Sequence, residues 1–267
     1  MVEKFKEFLT HSNMAKNTVS AYIYAVNDFN SRYKELTKKN LLLYKTYLIE
    51  RFKPKTVNLR IQALNKYLEY LYKPKLRLKS VKVQQRTYLE NVISQADYIF
   101  LKKKLKQEEN LMWYFVVRFL TATGARVSEL IEIKVEHVRI GYFDIYSKGG
   151  KVRRLFIPKC LRVEAEKWFE ETHQTTGYIF RNRFGERITT RGIAQQLKNY
   201  AERYGLNTNV VYPHSFRHRY AKNFLDAFND IALLADLMGH ESIETTRIYL
   251  RRTASEQQAI VDKVITW

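Results

Sequence analysis

Leu111-Met-Trp-Tyr-Phe-Val-Val-Arg-Phe-Leu-Thr-Ala-Thr-Gly-Ala-Arg-Val-Ser-Glu-Leu130 opens with a strongly apolar run and ends in a polar cluster. The run to Thr123 predicts a buried helix, around which other elements must pack. Arg126 and Glu129 follow it directly, so charge is set against the end of a core element. On the C-terminal side, Tyr142–Tyr146 and Val152–Pro158 are apolar or alternating segments. Gly149-Gly150 lies between them, and together they predict a β-hairpin. Helices are expected at about 161–172, 189–204, 214–227, 230–238 and 242–250, with a short amphipathic tail over 254–265. On the N-terminal side, Ser94 and Asp97 resemble a capping box that opens a helix.

The first 72 residues read as about four helices. Asn17 or Thr18 is expected to cap the second, which carries Tyr22, Val26, Phe29 and Tyr33. The third spans about Asn40 to Phe52 and is ended by Pro54. The fourth, from about Thr56, aligns Ile61, Leu64, Leu68 and Leu71. Lys53, Lys55, Arg60 and Lys66 fall largely outside that stripe, free to face a partner. Residues 74–92 lose the helical period and contain Pro74 and the lysines Lys75, Lys79 and Lys82, as expected of an extended basic linker. The domains predicted are therefore 1–73, the linker 74–92, and 93–267 with its tail at 254–267. The fold class is mainly α with one small antiparallel hairpin.

The 267 residues carry 47 Lys plus Arg against 27 Asp plus Glu, a formal charge of +20. Residues 1–85 hold 18 basic and 6 acidic side chains, net +12. Such an excess with 19 Tyr points to a polyanionic partner. With 45% hydrophobic residues, the composition excludes a disordered or collagen-like chain. A single cysteine, Cys160, excludes an internal disulfide and a cysteine-built zinc site. No signal-peptide or membrane-spanning apolar run is present, so the chain is expected in the cytoplasm, associated with the nucleoid.

Polar groups recur where packing does not require them: Arg126, Lys148 before the double glycine, His214 and Arg217 three apart on one helix face, His240 after Gly239, and Tyr249. Taken singly, each has a bland reading: a surface arginine paired with Glu129, a solvated hairpin lysine, a helix-capping histidine, a packing tyrosine. Together they describe a phosphodiester site. Two arginines can grip non-bridging oxygens, histidines can move protons near neutral pH, a lysine can protonate an alkoxide, and cations can stabilise a phenolate nucleophile. His214 and His218 fall short of the three ligands a zinc site needs. No glycine-rich phosphate loop or carboxylate cluster competes, so no metal or cofactor is expected.

The order Arg126, Lys148, His214-x-x-Arg217, His240, Tyr249 resembles the tyrosine recombinase (phage-integrase) family. So do the strings Thr123-Gly-Ala-Arg-Val-Ser-Glu-Leu130, Ser147-Lys-Gly-Gly-Lys151, Pro213-His-Ser-Phe-Arg-His218 and Leu237-Met-Gly-His-Glu-Ser-Ile-Glu-Thr-Thr-Arg-Ile-Tyr249. The resemblance implies a core-binding, SAM-like helical domain followed by a catalytic domain of the DNA breaking-rejoining fold. It implies that Tyr249 attacks a DNA phosphate to form a 3′-phosphotyrosine. Arg126 and Arg217 would clamp that phosphate, Lys148 would act as general acid with Lys151 as a DNA contact beside it, and His214 would transfer protons. His240 would donate to the scissile phosphate, and Glu129 would support the first arginine. It further implies double-stranded DNA as partner, four protomers in the synaptic complex, a tail that docks on a neighbour, and no need of ATP or metal. Arg219-Tyr220 and Leu250-Arg251-Arg252 depart from the family pattern outside the catalytic set. Helical pattern from the first residues favours a compact, Xer-like member, and two domains joined by a strap suggest a clamp on duplex DNA. The alternatives are a type IB topoisomerase-like relaxase and a catalytically idle DNA-binding regulator.

Overall fold

A computed structural model describes residues 2–83, 91–146, 152–240, 242–250, 258 and 261–265. They fall into two compact units, residues 1–85 and 86–267.

The first unit is built from α1 (Val2–His11), α2 (Lys16–Arg32), α3 (Lys38–Arg51) and α4 (Pro54–Tyr70). Pro54 occupies the first turn of α4, where a missing N–H is harmless, so the residue that bars α3 from continuing also opens the next helix. α3 begins earlier than its apolar spacing suggested, because the Thr37 hydroxyl accepts the Asn40 backbone N–H at 3.2 Å. α2 is not capped by Asn17 or Thr18; both are already inside the helix, and Ala15 holds the cap position without a side-chain bond. The core joins Phe5 and Leu9 to Val26 and Phe29, to Leu41, Tyr44 and Leu48, and to Ile61, Leu64 and Leu68.

Arg60 departs from its expected role on the phosphate-facing surface. Its guanidinium donates to Asp28 Oδ2 at 2.7 Å and lies 4.2 Å over the Phe52 ring, leaving the side chain 11% exposed. Asp28 also accepts from the Tyr44 hydroxyl at 2.6 Å and pairs with Arg32. A carboxylate set between helices needs such partners, and Arg60 serves it. Lys66 leans on Glu69 at 2.6 Å. Lys53, Lys55, Lys75, Lys79 and Lys82 are exposed.

The basic segment after residue 73 is not a free linker over its described length. Pro74–Leu76 forms a 3-10 turn, and the chain then runs extended along α4. The Asn65 amide pairs with both backbone groups of Leu78, at 2.8 and 2.9 Å. Asn58 does the same for Val81, at 2.8 and 3.0 Å. Lys38 and Lys45 donate to the carbonyls of Arg77 and Lys79, both at 2.7 Å. Side chains thus satisfy backbone groups that no sheet or helix takes up, and Leu78 is buried in the core of this unit.

The second unit contains α5 (Gln95–Gln107), α6 (Leu111–Thr123), α7 (Val127–Leu130), α8 (Val135–Ile140), β1 (Tyr142–Tyr146), β2 (Val152–Phe156), α9 (Lys159–Glu171), α10 (Thr190–Arg203), α11 (Pro213–Ala227), α12 (Ile231–Met238) and α13 (Ile243–Arg247), which continues into a 3-10 turn at Ile248–Leu250. The Ser94 hydroxyl accepts the Asp97 N–H at 2.9 Å, as half of the expected capping box. α6 lies in the core with Val116, Val117, Phe119 and Leu120 fully buried. β1 and β2 pair antiparallel from Tyr142↔Phe156 to Tyr146↔Val152. Their connecting turn, with Lys148 and Lys151, lies outside the described residues, as does most of the tail; residues 261–264 are helical. Ile93 enters this unit through its N–H to Ser215 Oγ at 2.7 Å and its carbonyl to Arg219 Nε at 2.9 Å. No described helix is long and apolar enough to cross a membrane.

Candidate active site

Two helix ends organise the site. α6 stops at Gly124 (φ 63°) and α12 at Gly239 (φ 62°), both in the left-handed conformation that ends helices. Neither position has room for a side chain. A Cβ on Gly124 would lie 2.4 Å from Tyr220 Cδ1, and one on Gly239 would lie 2.3 Å from Arg153 Cδ. Helix C-termini leave carbonyls unpaired and carry partial negative charge, which favours cations there. Here arginines take up both roles. Arg153 Nη1 donates to Leu237 O at 2.6 Å, Arg217 Nη2 to Met238 O at 2.6 Å, and Arg126 Nη2 to Gly239 O at 3.3 Å. Arg217 Nη1 donates to Gly124 O. Three successive carbonyls of one helix end therefore hold three guanidinium groups.

Glu129 binds two of these arginines. Arg126 caps α7 at its N-terminus, and its N–H donates back to Glu129 Oε2 at 2.7 Å, the return half of a capping box. Arg126 Nη1 reaches Glu129 Oε1 at 2.8 Å, and Arg153 Nη2 reaches Oε2 at 2.5 Å. Burial pushes the Glu129 carboxyl up, but Arg153 and Arg126 together hold it below the usual range.

Arg217, on α11, is only 3% exposed. Burial, with Arg126 nearby, lowers its pKa to about 10, so it remains charged at neutral pH. His240 Nε2 lies 3.2 Å from Arg217 Nη2. Since arginine only donates, His240 accepts there, which places its proton on Nδ1, 2.8 Å from Thr246 Oγ1. Burial and the surrounding arginines push His240 down to about 4, so the ring is neutral. His214 stands one turn before Arg217 at the exposed rim. Burial of its ring, Arg217 and Arg126 all lower its pKa.

Tyr249 sits in the 3-10 turn after α13, 6% exposed. Its ring stacks on His240 at 6.1 Å and lies 5.3 Å from His218. The Arg217 guanidinium lies close enough to favour the Tyr249 phenolate electrostatically. Contrary to the expectation of a cation-stabilised phenolate, its pKa is raised. Burial dominates, and Arg217 and Arg126 offset it only in part, so Tyr249 rests as a phenol.

Arg126, Glu129, Arg217, His240 and Tyr249 thus gather around the end of α12, with His214 at the edge. A cleft of about 780 Å³ opens over Arg126, Arg153, Gly239 and His240. The arrangement offers fixed donors for phosphoryl oxygens beside a protonated oxygen nucleophile. Sequence reasoning missed Arg153. Its signal was strand alternation: Arg153 shares a face of β2 with buried Leu155, so a charge had been placed on the core side. It also missed His218 as a neighbour of Tyr249. His218 is pushed down to about 4 by burial, His214 and Arg217, and its buried Nδ1 has no hydrogen-bond partner among the described residues.

Residues 89–256 match the profile of the phage integrase family, and residues 1–78 match its N-terminal SAM-like domain. The tyrosine recombinase XerA of Pyrococcus furiosus is 27% identical over 275 residues, covering 98% of this chain and 93% of that protein. The tyrosine recombinase XerC of Herpetosiphon aurantiacus is 29% identical over 274 residues, covering 93% and 89%. Among solved structures, the XerH site-specific recombinase bound to a palindromic difH substrate in a post-cleavage complex superposes with a TM-score of 0.72 at 16% identity. It covers 100% of this chain and 85% of that one, a likeness of fold.

Proposed function

The chain belongs to the phage integrase family as an Xer-like, tyrosine-type site-specific recombinase, and from that premise we propose that it cuts and rejoins double-stranded DNA through a 3′-phosphotyrosine, without metal or ATP. The observation that carries this reading is the Tyr249 ring stacked on His240, whose Nε2 meets Arg217, at the same helix end that holds Arg126.

In this reading Tyr249 Oη forms a bond to the scissile phosphorus while the bond to the 5′-oxygen breaks. The phenol proton leaves during attack, since burial keeps it in place beforehand, and His214 at the rim receives it. Lys148 gives a proton to the departing 5′-oxygen. Arg126 and Arg217 hold the non-bridging oxygens as charge grows on them. His240 joins them once its proton moves to Nε2. The Thr246 hydroxyl can donate to Nδ1 as readily as accept from it, so that contact persists, while the Arg217–Nε2 hydrogen bond is given up and both groups turn to the phosphate. The phosphotyrosine conserves the bond energy of the backbone, and a second strand's 5′-hydroxyl reverses the step. Exchange between two duplexes requires four active sites, hence four copies on DNA. Exposed Lys53, Lys55, Lys75, Lys79 and Lys82, with Lys151, supply phosphate contacts.

Incubation with nicked duplexes from a randomised pool tests this directly. Wild-type protein is expected to form a denaturant-resistant DNA adduct, and Tyr249→Phe to bind but form none. An adduct from Tyr249→Phe would overturn the assignment. Efficient relaxation of any supercoiled plasmid by a monomer, without strand exchange, would favour a relaxase.

A further inference from the structure

Glu129 stands between two guanidinium groups in unequal positions. Its own side chain and that of Arg153 are each 10% exposed, whereas Arg126 is 37% exposed and lines the cleft. One carboxylate can neutralise one arginine. The shorter contact is to Arg153, at 2.5 Å against 2.8 Å to Arg126. Arg153 also spans three elements: it is carried on β2, donates to Leu237 O at the end of α12, and reaches Glu129 on α7. Its stem fills the space a side chain at residue 239 would need. Nothing in the phosphodiester chemistry above uses it.

We propose that Arg153 is a positioning residue for strand cleavage: it takes up the charge of Glu129, so that Arg126 is held in place by that carboxylate without being neutralised by it, and it fixes the hairpin to the helix end that carries His240. The inference rests on the recombinase reading. Without Arg153, Glu129 turns wholly to Arg126, and the cleft loses the positive charge that a phosphate would meet. Arg153 is also the main charge holding the Glu129 carboxyl down, so its loss shifts that titration upward.

The test uses one nicked duplex that wild-type protein has selected from a randomised pool by adduct formation. It compares single-turnover cleavage, duplex affinity and thermal melting for Arg153→Met, Arg153→Lys, Glu129→Gln and Glu129→Gln/Arg153→Met. Arg153→Met is expected to slow adduct formation by about 10²-fold, the scale of a misplaced catalytic group, with affinity changed less than about threefold. Its rate is expected to recover toward acid pH, as Glu129 takes up a proton and ceases to neutralise Arg126. Adding Glu129→Gln is expected to restore at least about tenfold, because it removes the carboxylate that over-neutralises Arg126. Arg153→Lys is expected to fall between, and it carries the comparison should the methionine variant not fold. A merely structural arginine predicts the reverse: a rate loss that tracks melting temperature and no rescue by Glu129→Gln. That result, or a folded Arg153→Met cleaving at the wild-type rate, overturns the inference while leaving the recombinase reading intact. Failure of wild-type protein to form an adduct with any duplex overturns both.

Discussion

Replacing Gly239 by alanine strikes the site at its narrowest point. The residue has φ 62°, and the new Cβ would lie 2.3 Å from Arg153 Cδ and 2.8 Å from Nε. These atoms lie within the stem of a side chain anchored at its far end, so they cannot simply swing aside. The left-handed conformation alone costs roughly 1–2 kcal/mol for a residue with a Cβ. Displacing Arg153 also weakens its bonds to Leu237 O and Glu129, and charged hydrogen bonds are worth roughly 1.5–3 kcal/mol each. Partial relaxation puts the sum at about 2–4 kcal/mol, or a melting temperature lower by roughly 4–16 °C for a unit of this size. Differential scanning calorimetry reads the shift. Gly185→Ala is the control, with φ 79° and no atom of the described residues within 4 Å of the added carbon, so it carries the backbone cost alone. If Gly239→Ala melts no lower than Gly185→Ala, the packing of Arg153 against the end of α12 has been misjudged.

Acid destabilisation is a second consequence. His218 and His240 are neutral in the fold with pKa values near 4, below the ordinary value near 6.5. The unfolded chain therefore binds protons first, and stability that is complete above about pH 6.5 falls as pH drops toward 4, by up to roughly 1.4 kcal/mol per unit for each ring. Denaturant titrations at pH 7, 6 and 5 should show this loss, and a flat profile would contradict neutral burial. Duplex affinity should fall steeply with salt, and Lys53→Ala should reduce the log–log slope by about 1. Arg60→Ala should instead leave that slope unchanged and destabilise the first unit by roughly 1.5–3 kcal/mol, because half-buried Asp28 loses one of its two arginines. A changed slope with unchanged stability would return Arg60 to the DNA-facing set.

What could be seen in the sequence was whatever a local pattern or a distinctive residue type carried. The apolar run 111–123 announced a buried helix, and the α4 stripe of Ile61, Leu64 and Leu68 became its buried face. Arg126, Arg217, His240 and Tyr249 stood out as polar groups at helix ends and starts. What escaped notice depends on partners far along the chain. Arg60 looks like its lysine neighbours until Asp28, 32 residues earlier, is brought beside it. The basic segment after residue 73 has no period of its own, and it is ordered by the amides of Asn58 and Asn65, whose function no spacing reveals. Arg153 lay hidden beside Arg154 in a basic run, although one pairs with buried Glu129 and the other with Asp144 on the open face of the hairpin. The rest state of Tyr249 was misjudged for an energetic reason: nearby cations lower a phenol's pKa, but burial raises it more.

The central claim is that the Tyr249 oxygen itself becomes joined to the DNA backbone. Trapping wild-type protein on a selected nicked duplex, digesting the adduct, and sequencing the nucleotide-bearing peptide by tandem mass spectrometry reads this out. The expected result is a 3′-linked nucleotide on Tyr249 of the segment that follows His240. A nucleotide on any other side chain, or a 5′ linkage, would contradict it.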